Sequence, residues 1–162
     1  MERPTPPLTP EQITMGLVCS FDQVRLEADD RVIVIAPGWY KGTFAPSHPF
    51  VCLAVKDGQA LWVPLTSTCK YGDRMKVKPE WRVGHSRRWT SGECFLFSPE
   101  VCYVGPLEAF SDASWAGEVS STADRWITPD GCLALLKAVN RGTNYQATRL
   151  LTRDPADRRK IA

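Results

Sequence analysis

The sequence predicts a mainly β protein: a small antiparallel barrel or strongly bent sheet, with a short N-terminal helix and a C-terminal helical extension, α+β overall. Three observations carry this expectation. Short apolar runs rich in β-branched and aromatic residues recur between residues 31 and 105. Turn-forming residues separate them, with no helical pattern in between. Helical texture then returns near residue 128.

Taken in order, residues 1–16 read as a Pro-rich N-terminal arm with a short helix. Thr9-Pro10-Glu11-Gln12 supplies a capping residue, a proline at the first helical position and a glutamine three residues after the cap. Gly16 follows quickly and keeps that helix short. Residues 17–110 form the β core. RVIVIAP (31–37), FVCLAV (50–55) and ALWVPL (60–65) read as strands, and Asp57-Gly58 between the last two is a hairpin signal. RMKVKPEW (74–81) alternates, with Met75 and Val77 on one side and Arg74, Lys76 and Lys78 on the other, which predicts a half-buried strand with a cationic outer row. CFLF (94–97) and VCYVG (101–105) complete six strands. Residues 111–162 are a loop, a C-terminal helix and a basic tail. Thr128-Pro129-Asp130 caps that helix, CLALLKAV gives it an apolar body and Asn140-Arg141-Gly142 ends it.

The chain of 162 residues suits one compact domain, and its 43% apolar and 23% charged content is that of a soluble globular protein. No apolar run approaches the roughly 20 residues of a membrane span. MERPTPPLTP has no apolar signal core, so a cytoplasmic location is expected. The six cysteines form no CxxC pair, which predicts buried free thiols and neither a metal site nor a cofactor.

Charge is segregated along the chain. Residues 70–90 carry 7 basic and 2 acidic side chains, whereas residues 91–130 carry 1 basic and 7 acidic. A single anionic partner on the basic patch fits this pattern better than uniform stickiness. Its densest part is WRVGHSRRWT (81–90), two tryptophans around three arginines and a histidine.

The stretch SHPFVCLAVKDGQALWVPLTSTCKYGD (47–73) resembles the core of MazF/PemK-type toxins and their ToxN-like relatives, small SH3-like barrels that cut single-stranded RNA without a metal. The matching elements are His48-Pro49, the strand FVCLAV, the turn Asp57-Gly58, VPLTST (63–68) and Lys70; RVIVIAPGW sits where the family's opening strand leads into its first long loop. The pattern spans roughly residues 30–105. It implies a metal-independent endoribonuclease of a toxin–antitoxin system, a protein or RNA antitoxin as partner, and a homodimer as a possible assembly. His48 departs from the family, which carries Arg or Lys there.

Such cleavage uses the ribose 2′-OH as nucleophile, so it needs a base, an acid for the leaving 5′-oxygen and donors for the phosphorane charge. His48, with an unperturbed pKa of about 6.5, is the candidate base, and Thr66 and Ser67 are candidate catalytic donors. Trp39, Tyr40 and Lys41 lie in the first loop, and Thr68, Lys70 and Arg74 follow the second hairpin strand. In the 81–90 stretch Arg82, Arg87 and Arg88 are placed to meet phosphates, Trp81 or Trp89 to stack on bases, and His85 is the second choice of base.

Plainer readings stand beside these. His48 is equally a polar residue at a strand start, Thr-Ser-Thr a turn binding its own backbone, and the 74–78 cations a solvated face. The alternative function is a non-catalytic SH3-like barrel that binds nucleic acid or a protein partner.

Overall fold

The structure is a computed structural model that describes residues 8–40, 48–67, 74–85, 87–114 and 125–143. Its strands are β1 (Val18–Phe21), β2 (Ile33–Ile35), β3 (His48–Lys56), β4 (Gln59–Thr66), β5 (Arg82–Val83), β6 (Phe95–Leu96), β7 (Cys102–Pro106) and β8 (Trp126–Ile127). Its helices are α1 (Gln23–Ala28), α2 (Arg87–Ser91), α3 (Leu107–Ala113) and α4 (Pro129–Thr143), with short 3-10 turns at Pro10–Gln12 and Pro79–Trp81.

Six strands make one antiparallel sheet in the order β1-β3-β4-β7-β2, with β6 paired to the end of β4; β5 and β8 form a separate two-stranded ribbon. The β3–β4 hairpin is its centre. Asp57 (φ 52°) and Gly58 (φ 76°) both take the left-handed conformation that a two-residue turn between twisted strands demands, and Lys56 then pairs with Gln59.

Both faces of the central strands are dry. Along β3, Phe50 and Cys52 enter one core while Val51 and Leu53 enter the other; along β4, Trp62 faces the first and Leu61, Val63 and Leu65 the second. This is why FVCLAV and ALWVPL are continuously apolar rather than alternating. Helices α1 and α3 and Leu8 and Ile13 of the N-terminal arm cover the Phe50–Trp62 face. Helix α4 covers the other with Cys132, Leu135, Ala138 and Val139, positions that recur on one side of a helix. Trp62, Tyr103, Phe21, Phe50 and Phe110 are fully enclosed, and each such side chain contributes roughly 1.5–3 kcal/mol of burial.

The closed barrel expected from the sequence is not present among the described residues, where the sheet runs as an open path from β1 to β2. A small barrel keeps its inner face dry and its outer face wet, whereas here helices seal both. The expectation of strands without intervening helices is corrected with it. Helix α2 lies between the expected strands over 74–81 and 94–97, α1 precedes β2, and α3 runs on to Ala113 where a loop was expected from residue 111.

The predicted strand over 74–81 is also corrected. Only Lys76 bridges, to Phe95, and Pro79 begins a 3-10 turn. Alternation of burial survives, with Val77 buried and Lys76 and Lys78 exposed. Hydrogen bonds from Val77 N–H to Cys94 O (2.8 Å) and from Leu96 N–H to Met75 O (2.8 Å) hold the segment on β6 without a regular ladder.

Both terminal helix starts lie where the sequence places them. The Thr9 N–H donates to Gln12 Oε1 at 2.8 Å, and the Gly131 N–H donates to Thr128 Oγ1 at 3.2 Å with Pro129 in the first turn of α4. Helix α4 continues past the expected stop to Thr143. Among the described residues, Cys19, Cys52, Cys94, Cys102 and Cys132 are free and buried, and no helix is long and apolar enough to cross a membrane.

Candidate functional site

The site is built from the turn after β2, the open end of the β3–β4 hairpin and the segment after β6. Tyr40 N–H bonds Pro37 O at 3.1 Å and folds Trp39 and Tyr40 back over the sheet. The Phe97 N–H bonds Pro64 O at 3.0 Å, which fixes the Phe97 ring beside the last residues of β4. The two segments meet: Phe97 lies 5.7 Å from Tyr40 and 6.5 Å from Trp39, centroid to centroid. The Arg74 guanidinium carbon stands 4.8 Å from the centre of the Phe97 ring. Trp39 keeps 57% of its surface in water. Exposed indole rings can stack on flat rings and guanidinium groups can pair with anions, and Phe97 has one of each beside it.

Under this cluster lies a buried polar chain. Asp22 caps α1 by accepting from the Arg25 N–H at 3.1 Å. The helix then projects Gln23 and Glu27, one turn apart, toward the same partner. The Tyr103 hydroxyl donates to Glu27 Oε1 at 2.8 Å, the Tyr40 and Tyr103 hydroxyls are 2.6 Å apart, and Gln23 Nε2 donates to both at 2.7 and 3.1 Å. Because the Tyr103 proton is committed to Glu27, Tyr40 is the donor between the two phenols.

Burial is the main cause that pushes Tyr40 up to about 12 and Tyr103 higher still. Burial likewise raises Glu27, against the opposing Tyr103 hydrogen bond. Both phenols therefore stay neutral near pH 7. They hold the cluster in place and are not available as bases near neutral pH.

Of the residues singled out by sequence, the structure brings together Trp39, Tyr40 and Arg74. Thr66, half-buried, ends β4, and exposed Ser67 follows it. The backbone of His48 begins β3, so His48 and Thr66 each stand two residues beyond the paired Phe50 and Pro64, at one end of the hairpin. The side chain of His48, and Lys41, Thr68 and Lys70, lie outside the described residues.

The 81–90 stretch is elsewhere. Trp89 belongs to the core under α4 and Trp81 packs against it, whereas Tyr40 packs on the core of the opposite face. Trp89 also donates its indole N–H to Val83 O at 3.0 Å. His85, Arg87 and Arg88 are exposed. Arg82 corrects the sequence reading: it is only 5% exposed, and its Nη1 donates to Trp89 O at 2.7 Å and to Gly92 O. It ties down the end of α2 and is not an exposed contact for the backbone of a bound RNA strand. Of the two tryptophans offered for stacking, Trp89 is the buried one.

Sequence reasoning missed Gln23, Glu27, Phe97 and Tyr103. The Asp22 cap followed by Gln23 and Glu27 at helical spacing was the one local signal available; the phenol contact has none.

No protein-family model, curated protein or solved structure matches this chain.

Proposed function

We propose that this protein binds single-stranded RNA at the open end of the β3–β4 hairpin and cleaves it without a metal, as a cytoplasmic endoribonuclease toxin of MazF/PemK or ToxN-like type built on an SH3-like variant of the open sheet. The observation that carries this reading is the convergence of Trp39, Tyr40, Phe97 and Arg74 beside the strand ends that bear His48 and Thr66. A base stacks on Trp39, and Arg74 neutralises the adjoining phosphate. His48 takes the 2′-OH proton as the 2′-oxygen attacks phosphorus. The P–O5′ bond breaks, O5′ leaves with a proton taken from water, and Thr66 and Ser67 donate to the phosphoryl oxygens. A protein or RNA antitoxin would cover the same groove.

A second reading is a non-catalytic module that uses the same platform to bind nucleic acid or a protein. The histidine at position 48, where the family carries Arg or Lys, favours it. Expression of wild type and His48→Ala in a bacterial host separates the two. The first reading expects growth arrest and fragmented RNA with wild type alone. Normal growth and intact RNA at good expression of wild type overturn it.

A further inference from the structure

We infer that the junction of β5, β8 and α2 is a buried site for a small oxyanion, a phosphate or a carboxylate, gripped by the side edge of Arg82. The residue is only 5% exposed, and just one of its guanidinium nitrogens is satisfied. Nη1 is taken by the Trp89 and Gly92 carbonyls, while Nε and Nη2 are buried with no hydrogen-bond partner. Those two nitrogens carry the parallel pair of N–H bonds that carboxylates and phosphates accept bidentately. The carbonyl contacts and the Trp89 ring, 5.8 Å from the guanidinium carbon, lock the plane of the fork, so the donor edge is already oriented.

A second cation is close. Arg82 pairs with Ile127 across the ribbon, and Arg125, two residues before Ile127, shares that face. Arg125 Nη2 reaches the buried Ser20 hydroxyl at 3.4 Å. Burial pushes the Cys94 thiol up to about 11, and both positive charges act on it in the lowering direction. Among the described residues the ion pairs all involve Arg31, so no described carboxylate meets Arg82. A buried guanidinium facing only carbonyls is an uncompensated charge, and an oxyanion on its open edge supplies both the counter-charge and the missing acceptors.

The test needs no RNA, so its failure leaves the ribonuclease proposal standing and the reverse also holds. Inorganic phosphate, and in a parallel arm acetate, is titrated into the full chain at constant ionic strength. Arginine Nε–H resonances and the thermal midpoint are followed. One Nε–H resonance is expected to shift saturably and the midpoint to rise by about 2–4 °C at saturation. The response should be lost in Arg82→Lys and kept in the Arg87→Gln/Arg88→Gln double variant. Saturation by phosphate alone names a phosphoryl occupant, and by acetate alone a carboxylate. The inference is overturned if neither anion moves a resonance saturably in wild type, or if the response disappears in the double variant. It is also overturned if a folded Arg82→Lys responds as wild type does. Should Arg82→Lys not fold, the wild-type and double-variant titrations still decide.

Discussion

The hydroxyl oxygens of Tyr40 and Tyr103 lie 2.6 Å apart, and through that contact an exposed ring cluster is anchored to the centre of the sheet. Tyr103 is fully buried on β7, the neighbour of β4, and packs its ring 5.0 Å from Phe50. Tyr40 is half-buried and carries Trp39 beside it. The phenol pair thus fixes Tyr40, and with it the neighbouring indole, on the sheet.

Tyr103→Phe removes the hydroxyl that serves Tyr40, Gln23 and Glu27 together. Leaving those groups short of a partner should cost about 1–3 kcal/mol of stability. Urea unfolding at neutral pH measures it. Because Tyr103 keeps Gln23 and Glu27 as partners and the Tyr40 site is partly solvated, Tyr40→Phe is expected to cost less.

Glu27 gives a pH dependence of defined sign. Burial raises its carboxyl above the ordinary 4.5, so the folded protein holds this proton more tightly than the unfolded chain. Its contribution to stability is fully present below the unfolded value and is lost as pH rises through the higher folded value. Glu27→Gln keeps an oxygen acceptor for Tyr103 but cannot ionise. Its stability relative to wild type should therefore increase from about pH 4 to about pH 7. An unchanged difference between those conditions would show that Glu27 titrates as in the unfolded chain.

Gly131→Ala sets packing against helix propensity. Alanine in α4 is favoured by about 1 kcal/mol. A Cβ at this position, however, would stand 2.8 Å from Trp81 Cβ and 2.7 Å from Ile127 Cγ2. Overpacking of this kind costs about 1–3 kcal/mol. The clash should outweigh the gain in helix propensity, with a lower thermal midpoint for the variant. A raised midpoint would mean that Trp81 moves away freely.

Trp39→Ala is predicted to weaken single-stranded RNA binding by roughly 5- to 150-fold, the equivalent of one lost stacked base. Arg74→Ala should instead reduce the slope of log affinity against log salt by about one phosphate's worth. Fluorescence titration with a labelled oligonucleotide at several salt concentrations reads both effects. Trp89→Phe should leave binding unchanged, since that ring is in the core.

The legible parts of this molecule are those fixed by local chemistry. Asp57-Gly58 dictates its own turn, and the Thr128 cap with an apolar stripe behind it dictates α4. Helix α1 was illegible because QVRLEA is only six residues long, too short for periodicity to declare itself between two strands. Residues 74–81 show the converse. Their alternation foretold which side chains are buried, but a ladder also needs a continuous partner and free N–H groups, and Pro79 supplies neither.

At the site, composition pointed to Trp39, Tyr40 and Arg74, since aromatics and cations near a turn are few. Tyr103 and Phe97 were passed over because a core tyrosine and a platform phenylalanine read alike in a strand. Arg82 was misread for a physical reason: a basic run between strands carries no mark that tells a solvated guanidinium from one folded onto carbonyls seven and ten residues away.

The central claim is chemical, and one measurement reaches it directly. Purified wild-type protein is incubated in EDTA with a single-stranded RNA and with the same sequence 2′-O-methylated. The account predicts that the RNA is cut, leaving a 2′,3′-cyclic phosphate, that the methylated strand binds but stays whole, and that His48→Ala leaves both intact. Cleavage that requires added metal, or that proceeds equally on the methylated strand, would contradict it.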